Sequence, residues 1–236
     1  GGAAALNMWF DRDIDRLMKR TLRRPIPAGK VSPTGAFWFG IALQVLAFIL
    51  LAWTVNMLSA ILTVAGFIYY VVIYTMWLKR RTPQNIVIGG GAGSFPPLVG
   101  WAVVTGQLSW AAVFMFMIIF LWTPPHFWSL ALYKQDDYKA ANIPMMPVAR
   151  GAKTTKWQSL AYAIVLTICS TLLYFTHTVG IVYLVAALTL GILFIGYTWK
   201  QLGDQEESDR WSRKTFKYSL LYLPILFISM LIQLHM

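Results

Sequence analysis

Acidic side chains are scarce in this chain of 236 residues: 9 Asp and Glu stand against 20 Lys and Arg, and charge of either sign makes up only 12% of the sequence. Soluble domains carry about 25% charged residues, so a soluble fold is excluded. The one cysteine, Cys169, lies inside an apolar run and gives no basis for a disulfide framework or a thiolate metal site. The three histidines, His126, His177 and His235, are scattered. What is abundant is apolar surface, 58% of residues with 11 Trp among them, the composition of an integral membrane protein.

A net charge of +11 would suggest a nucleic-acid partner in a soluble protein, but here its distribution decides otherwise. All charged residues fall in four clusters, at 11–30, 79–81, 134–156 and 200–217. Between them run uncharged stretches of 48, 52 and 43 residues (31–78, 82–133 and 157–199). Each is long enough for two helices of about 20 residues joined by a tight turn. Each pair of crossings returns the chain to the side it left, and residues 218–236 make one more span. The pattern predicts an all-α, polytopic transmembrane bundle of about seven complete spans, with the lipid bilayer and no nucleic acid as partner. The charged side is the cytoplasm, or the matrix in an organelle.

Residues 1–6, GGAAAL, read as the tail of a membrane helix. Asn7, Asp11 and Asp15 then follow four residues apart, and on a continuing helix that spacing keeps all three on one narrow face, with Asp13 nearly opposite. Two carboxylates and an amide are hard oxygen ligands of the kind that hold Mg²⁺ against a phosphate, while Lys19, Arg20, Arg23 and Arg24 meet the remaining anionic charge. A solvated helix end with ordinary pairs such as Asp15 with Lys19 reads equally well from charge alone. Pro25, Pro27, Gly29 and Pro33 break the chain before a hairpin over 34–54 and 57–78, turning near Asn56. Residues 74–81, YTMWLKRR, close that hairpin, and in a bundle Lys79 points back toward the acidic face; simple positive-inside anchoring is the other reading.

Glycines 89–91 and Pro96-Pro97 predict close helix approach and a break. In the span near 109–131 the run WTPPHFW predicts a kink at Pro124 and Pro125. His126 is either a hydrogen-bonded interior residue or a functional group, since polar side chains at membrane depth mark function. Trp122, Phe127 and Trp128 read by default as core or lipid-facing. The third cluster, YKQDDYKAANIPMMPVARGAKTTK, repeats the layout of the first: acid, paired prolines, then small and basic residues. A weak repeat of this kind suits a site between two halves. The last hairpin covers 158–176 and 180–198 with His177 at its turn. The mixed charges of 200–217 predict a solvated loop.

Taken in order, Asn7-x3-Asp11-x3-Asp15, RTLRRPIPAGKVSP, YTMWLKRRTPQN, GSFPPLVGW, WTPPHFWSLAL and DDYKAANIPMMPV resemble the UbiA superfamily of membrane prenyltransferases, and within it the branch that farnesylates haem. The resemblance runs from Asn7 past Gly151. It implies a nine-helix bundle in the complete family and a single transmembrane prenyltransferase domain over 1–236, N-terminally truncated so that the first helix and most of the second are absent. Two Asp-rich regions would hold a prenyl diphosphate through Mg²⁺. Asn7, Asp11 and Asp15 match the first motif. Asp137 matches the second position of the other, with Tyr133 at its first and Asp136 as a substitute ligand. Lys79 and Arg80 would bind diphosphate beside the family's Tyr-Lys element, although Tyr74 and Lys79 are five apart where many relatives have four. Tyr74, Trp122 and His126 would line the haem or prenyl pocket, with Tyr69, Tyr70 and Trp77 adding aromatic walls. The resemblance further implies farnesyl diphosphate and haem b as substrates, association with a downstream haem A synthase or oxidase assembly, and a bacterial cytoplasmic or mitochondrial inner membrane. An aromatic quinone precursor is the rival acceptor. A transporter or scaffold is the rival class, disfavoured because no charged residue lies inside the long apolar stretches.

Overall fold

The structure is a computed structural model that describes residues 1–17, 21–140, 144–204 and 209–232, and every regular element among them is helical. Helix α1 covers Gly2–Phe10, α2 Pro33–Thr54, and α3 Met57–Ile68, which continues as a π-helix over Tyr69–Leu78. Next come α4 (Asn85–Gly93), α5 (Phe95–Thr105), α6 (Trp110–Tyr133), and the short α7 (Gln135–Ala140) and α8 (Met146–Arg150). The last three are α9 (Ala152–Leu172), α10 (Ile181–Leu202) and α11 (Arg210–Ile232). Seven segments among the described residues are long and apolar enough to cross a membrane, which matches the number expected from hydropathy. The chain is an integral membrane protein.

Local chemistry sets the helix ends. Ser32 caps α2, its Oγ accepting from Gly35 N at 3.1 Å, with Pro33 at the first helical position where a missing N–H costs nothing. Asn56 accepts from Ser59 N at 2.9 Å and donates from Nδ2 to Ala102 O at 2.9 Å, so the α2–α3 turn is also tied to α5. Ser109 caps α6 in the same way. Pro124 and Pro125 sit within α6, which stays helical from Trp110 to Tyr133.

The chain forms two compact units, one comprising residues 1–108 and 136–144, the other 109–135 and 145–236. In the first, α1 packs on α2 at a glycine crossing: a Cβ on Gly2 would lie 2.5 Å from Gly40 O. In the second, α6, α9, α10 and α11 enclose Trp128, Leu166, Tyr183, Phe194 and Tyr222, all fully buried. Tyr183 donates to Ser170 O at 2.9 Å, and the Ser170 and Tyr222 hydroxyls meet at 3.0 Å. Lipid offers no hydrophobic drive for helices to associate and such bonds contribute only about 0.6 kcal/mol each, so cohesion rests on their number and on close packing.

Two boundaries differ from expectation. Helix α9 starts at Ala152 rather than near 158, and α11 starts at Arg210, eight residues before the predicted span, so the 200–217 cluster is largely helix. Charge misplaces these ends because long cationic side chains run along a helix to reach water. Lys200, Arg210 and Lys214 gather at 4.7, 6.0 and 4.5 Å from the Trp211 ring, while Gln201, Ser212 and Thr215 turn inward and are buried. Asp204 Oδ2 accepts from Trp211 N and Ser212 N at 2.7 and 3.0 Å, a carboxylate placed where α11 exposes its unpaired N–H groups. The buried Lys156 donates to Asp204 O at 2.6 Å.

Candidate active site

The α-helix carrying Asn7 stops at Phe10, earlier than the one-face reading requires. Asp11 is its C-cap, with φ −86° and ψ 7°, and Asp15 falls in a 3₁₀ turn over Ile14–Arg16. The four-residue spacing survives as backbone hydrogen bonds, from Asp11 N to Asn7 O and from Asp15 N to Asp11 O, both 2.9 Å. Burial then separates the acids: Asp11 is 0% and Asp15 2% exposed, whereas the Asp13 side chain is 59% exposed. Asn7, also buried, donates from Nδ2 to Asp11 Oδ2 at 2.8 Å and to Thr75 Oγ1 at 3.2 Å. An ionised carboxylate only accepts, which orients the Asn7 amide and leaves its Oδ1 without a hydrogen bond among the described residues.

The π-helix delivers the cations. Lys79 N bonds to Tyr74 O at 2.9 Å and Thr75 Oγ1 to Tyr70 O at 2.9 Å, each reaching five residues back. On an α-helix residues five apart are separated by ~140° around the axis. With i→i+5 bonding that separation shrinks, so the five-residue Tyr74–Lys79 spacing brings Lys79 nearer the Tyr74 side. Its ammonium pairs with Asp11 Oδ2. Arg80 adds Nη2 at 3.5 Å from Asp11 Oδ1, clasps both oxygens of Asp13 at 2.7 Å, and lies 5.0 Å over the Phe10 ring. That hydrogen-bonded guanidinium holds the Asp13 carboxyl below the usual range, and Asp13 raises Arg80 in return. Helix α4 closes against the same segment because its glycines lack side chains: a Cβ on Gly89 would lie 2.1 Å from the Tyr74 ring.

Asp15 is served separately. Arg24 Nη1 donates to its two carboxylate oxygens at 3.0 and 2.9 Å, and Thr21 Oγ1 donates to its backbone oxygen at 2.8 Å. Arg23 is exposed, and Lys19 and Arg20 lie outside the described residues. Asp136 and Asp137 open α7, exposed and half-buried respectively, without an ion pair among the described residues. No three His, Cys, Asp or Glu side chains among the described residues converge. The donors nonetheless suit a hard divalent cation: Asp11 Oδ1 is buried and accepts no hydrogen bond, and Asn7 Oδ1 stands on the next turn. Tyr70 and Tyr74 lie 5.6 Å apart by ring centroid and are half-buried, whereas Trp77, expected in the aromatic wall, is 56% exposed.

The second unit holds a distinct polar centre. His126, buried, stacks on Trp122 at 4.2 Å and on Phe216 at 4.8 Å, and its Nδ1 meets Ser219 Oγ at 2.7 Å. Trp122 Nε1 donates to Ser219 O at 2.9 Å.

Comparison with known proteins matches residues 1–221 to the sequence profile of the UbiA prenyltransferase family. The chain belongs to the UbiA prenyltransferase family. A protein from Symbiobacterium thermophilum described as protoheme IX farnesyltransferase is 51% identical over 232 residues, covering 98% of this chain and 78% of its own. Among solved structures, a UbiA homolog from Aeropyrum pernix K1 superposes with a TM-score of 0.75 at 19% identity, over 98% of this chain and 84% of that one. Another UbiA homolog, from Archaeoglobus fulgidus and bound to GPP and Mg²⁺, gives a TM-score of 0.63 at 16% identity, over 97% and 82%. These two likenesses bear on the fold.

Within this UbiA chain, sequence reasoning overlooked Thr75, Thr21, Phe216 and Ser219. Thr75 and Ser219 lie in apolar or mixed runs where a hydroxyl ordinarily bonds its own helix, as Thr123, Thr167 and Thr198 do here. A search for polar residues one turn before a candidate lysine would have raised Thr75.

Proposed function

We propose that this chain transfers a farnesyl group from farnesyl diphosphate to a vinyl group of haem b, releasing diphosphate and giving haem O. The donor chemistry rests on one observation: a buried carboxylate, Asp11, with one oxygen free of hydrogen bonds, set between Asn7 and the cations Lys79 and Arg80. The acceptor is supported by the 51% identity to a relative described as protoheme IX farnesyltransferase.

In this reading the allylic C–O bond of the donor breaks with its electron pair going to the diphosphate. Lys79, Arg80 and Arg24 stabilise the charge that gathers there, a preorganised electrostatic effect that needs no covalent link to protein. Asn7, Asp11 and Asp15, with Asp136 and Asp137 as further candidates, would hold Mg²⁺, which when bound neutralises diphosphate oxygens as a Lewis acid. The ring faces of Tyr70 and Tyr74 attract the allylic cation and keep water from it. The farnesyl carbon then bonds to the terminal vinyl carbon, water adds at the other, and its proton leaves with the diphosphate, giving a hydroxyethylfarnesyl side chain. His126 and Trp122 are assigned to the haem. We place the charged loops on the cytoplasmic or matrix side of a bacterial or mitochondrial inner membrane, with the product passing to a haem A synthase or an oxidase under assembly.

The test is to incubate the reconstituted chain with farnesyl diphosphate, haem b and Mg²⁺, then weigh the porphyrin and measure diphosphate. Haem O and diphosphate are expected in equal amounts, and chelation should abolish both. Diphosphate release with a hydroxybenzoate acceptor but never with haem would move the assignment to quinone precursors; no release with either would overturn it.

A further inference from the structure

Three hydrogen bonds at Ser219 decide which nitrogen of His126 is free. The Ser219 hydroxyl lies 2.6 Å from Phe216 O and donates to it. A serine hydroxyl has one proton, so the 2.7 Å contact between Ser219 Oγ and His126 Nδ1 needs its proton from the ring, as Nδ1–H. With the hydroxyl turned to Nδ1 instead, two oxygens would face each other at 2.6 Å without a proton between them. Meanwhile the Ser219 carbonyl accepts from Trp122 Nε1 at 2.9 Å, and the indole stacks on the imidazole with an interplanar angle of 18°. Phe216 stacks on the same ring, and Phe127 meets it edge-on at 4.9 Å. The imidazole is thus held against rotation by neighbours from α6 and α11.

Its other nitrogen is left over. Nε2 makes no hydrogen bond among the described residues, and the residue keeps 6% exposure. Unlike Trp128 Nε1, which is sealed without a partner, Nε2 keeps accessible surface and is open to a group approaching from outside the residues that hold the ring.

We infer that Ser219 is a positioning residue that fixes His126 as the Nδ1–H tautomer, leaving Nε2 as a free imidazole base that ligates the iron of the haem acceptor. The ligation half rests on the haem reading given above; the tautomer half does not. Neutral imidazole with its remote nitrogen hydrogen-bonded is a good ligand for haem iron, since the second bond sets the ring's orientation and raises its basicity.

The experiment uses the whole chain in lipid nanodiscs with ¹⁵N-labelled histidine, the His126 signals being assigned by their loss in His126→Ala. Wild type should show a protonated Nδ1 and an unprotonated Nε2. Ser219→Thr, which keeps the hydroxyl, should preserve that pattern, and Ser219→Ala should mix the tautomers. An Nε2–H tautomer in wild type, or unchanged shifts in Ser219→Ala, would overturn the positioning role even if the chain farnesylates haem normally. Haem b titrated into the same nanodiscs should give an imidazole-ligated absorption spectrum, lost in His126→Ala and weakened roughly tenfold in affinity by Ser219→Ala but not by Ser219→Thr. The expected tautomer with iron ligation unaltered in His126→Ala would overturn the ligand assignment. Failure to make haem O at all would count against the proposed function while leaving the nitrogen shifts as they are.

Discussion

Asp11 and Asp13 carry the same charge two residues apart, yet one is sealed from solvent and the other mostly exposed. Activity should follow that difference. Alanine at Asp11 or Asp15 removes a group most needed as diphosphate leaves, and turnover at saturating Mg²⁺ should fall about a hundredfold or more. Alanine at Asp13 should cost less than about tenfold, because it frees Arg80 without unpairing a buried charge. Equal losses at all three positions would sink the distinction. Asp13 also gives a pH test with a definite sign. Its carboxyl is held below the ordinary range by Arg80, so its contribution to stability is complete at neutral pH and disappears as pH falls through the folded-state value. Melting curves of Asp13→Asn should therefore converge on wild type in acid, the gap at neutral pH being small and shrinking with salt because the pair is exposed. At this scale the Asn7, Asp11 and Asp15 spacing was readable from sequence, and Lys79 was readable given a bundle. The Asp13–Arg80 clasp was not, since the two lie 67 residues apart and only the fold brings them together.

Helix ends were the least legible elements. Arg210, Arg213, Lys214 and Lys217 look like a loop to any count of charge, but all four stand on α11, whose Ser212 and Thr215 are buried. The π-helix was equally hidden: in YYVVIYTMWL the polar groups are the hydroxyls of Thr75 and three tyrosines, and a segment without a charged face displays no period from which a turn could be read. Its packing was partly legible, because glycines 89–91 announced a close approach. Gly89→Ala would drive a Cβ to within 2.9 Å of three Tyr74 ring atoms, none of them the flexible end of a side chain. We expect a loss of about 1–3 kcal/mol from overpacking, together with reduced turnover as Tyr74 and the turn before Lys79 shift. Gly93→Ala, with nothing within 4 Å of the added carbon, should match wild type in thermal stability and rate.

For the whole chain, hydropathy and charge clustering supplied the span count because a bilayer imposes lengths that composition must meet. The alternation of spans predicts sidedness. In a Cys169→Ala background, cysteines at Lys30, Arg81 and Lys134 should react with an impermeant maleimide from one face, and cysteines at Gln107 and Thr178 from the other. Mixed accessibility within either set would overturn the topology. The π-helix has a further consequence at this scale. To the machinery that inserts Met57–Leu78, those 22 residues are a quantity of oily length, indifferent to how many of them fill a turn. To Asp11 they are an angle, the direction from which Lys79 arrives. Deleting one residue between positions 69 and 74 would leave the length sufficient and alter the angle. Such a protein should integrate, resist protease and accumulate normally while its lysine meets lipid in place of the carboxylate, a defect invisible to every assay of biogenesis.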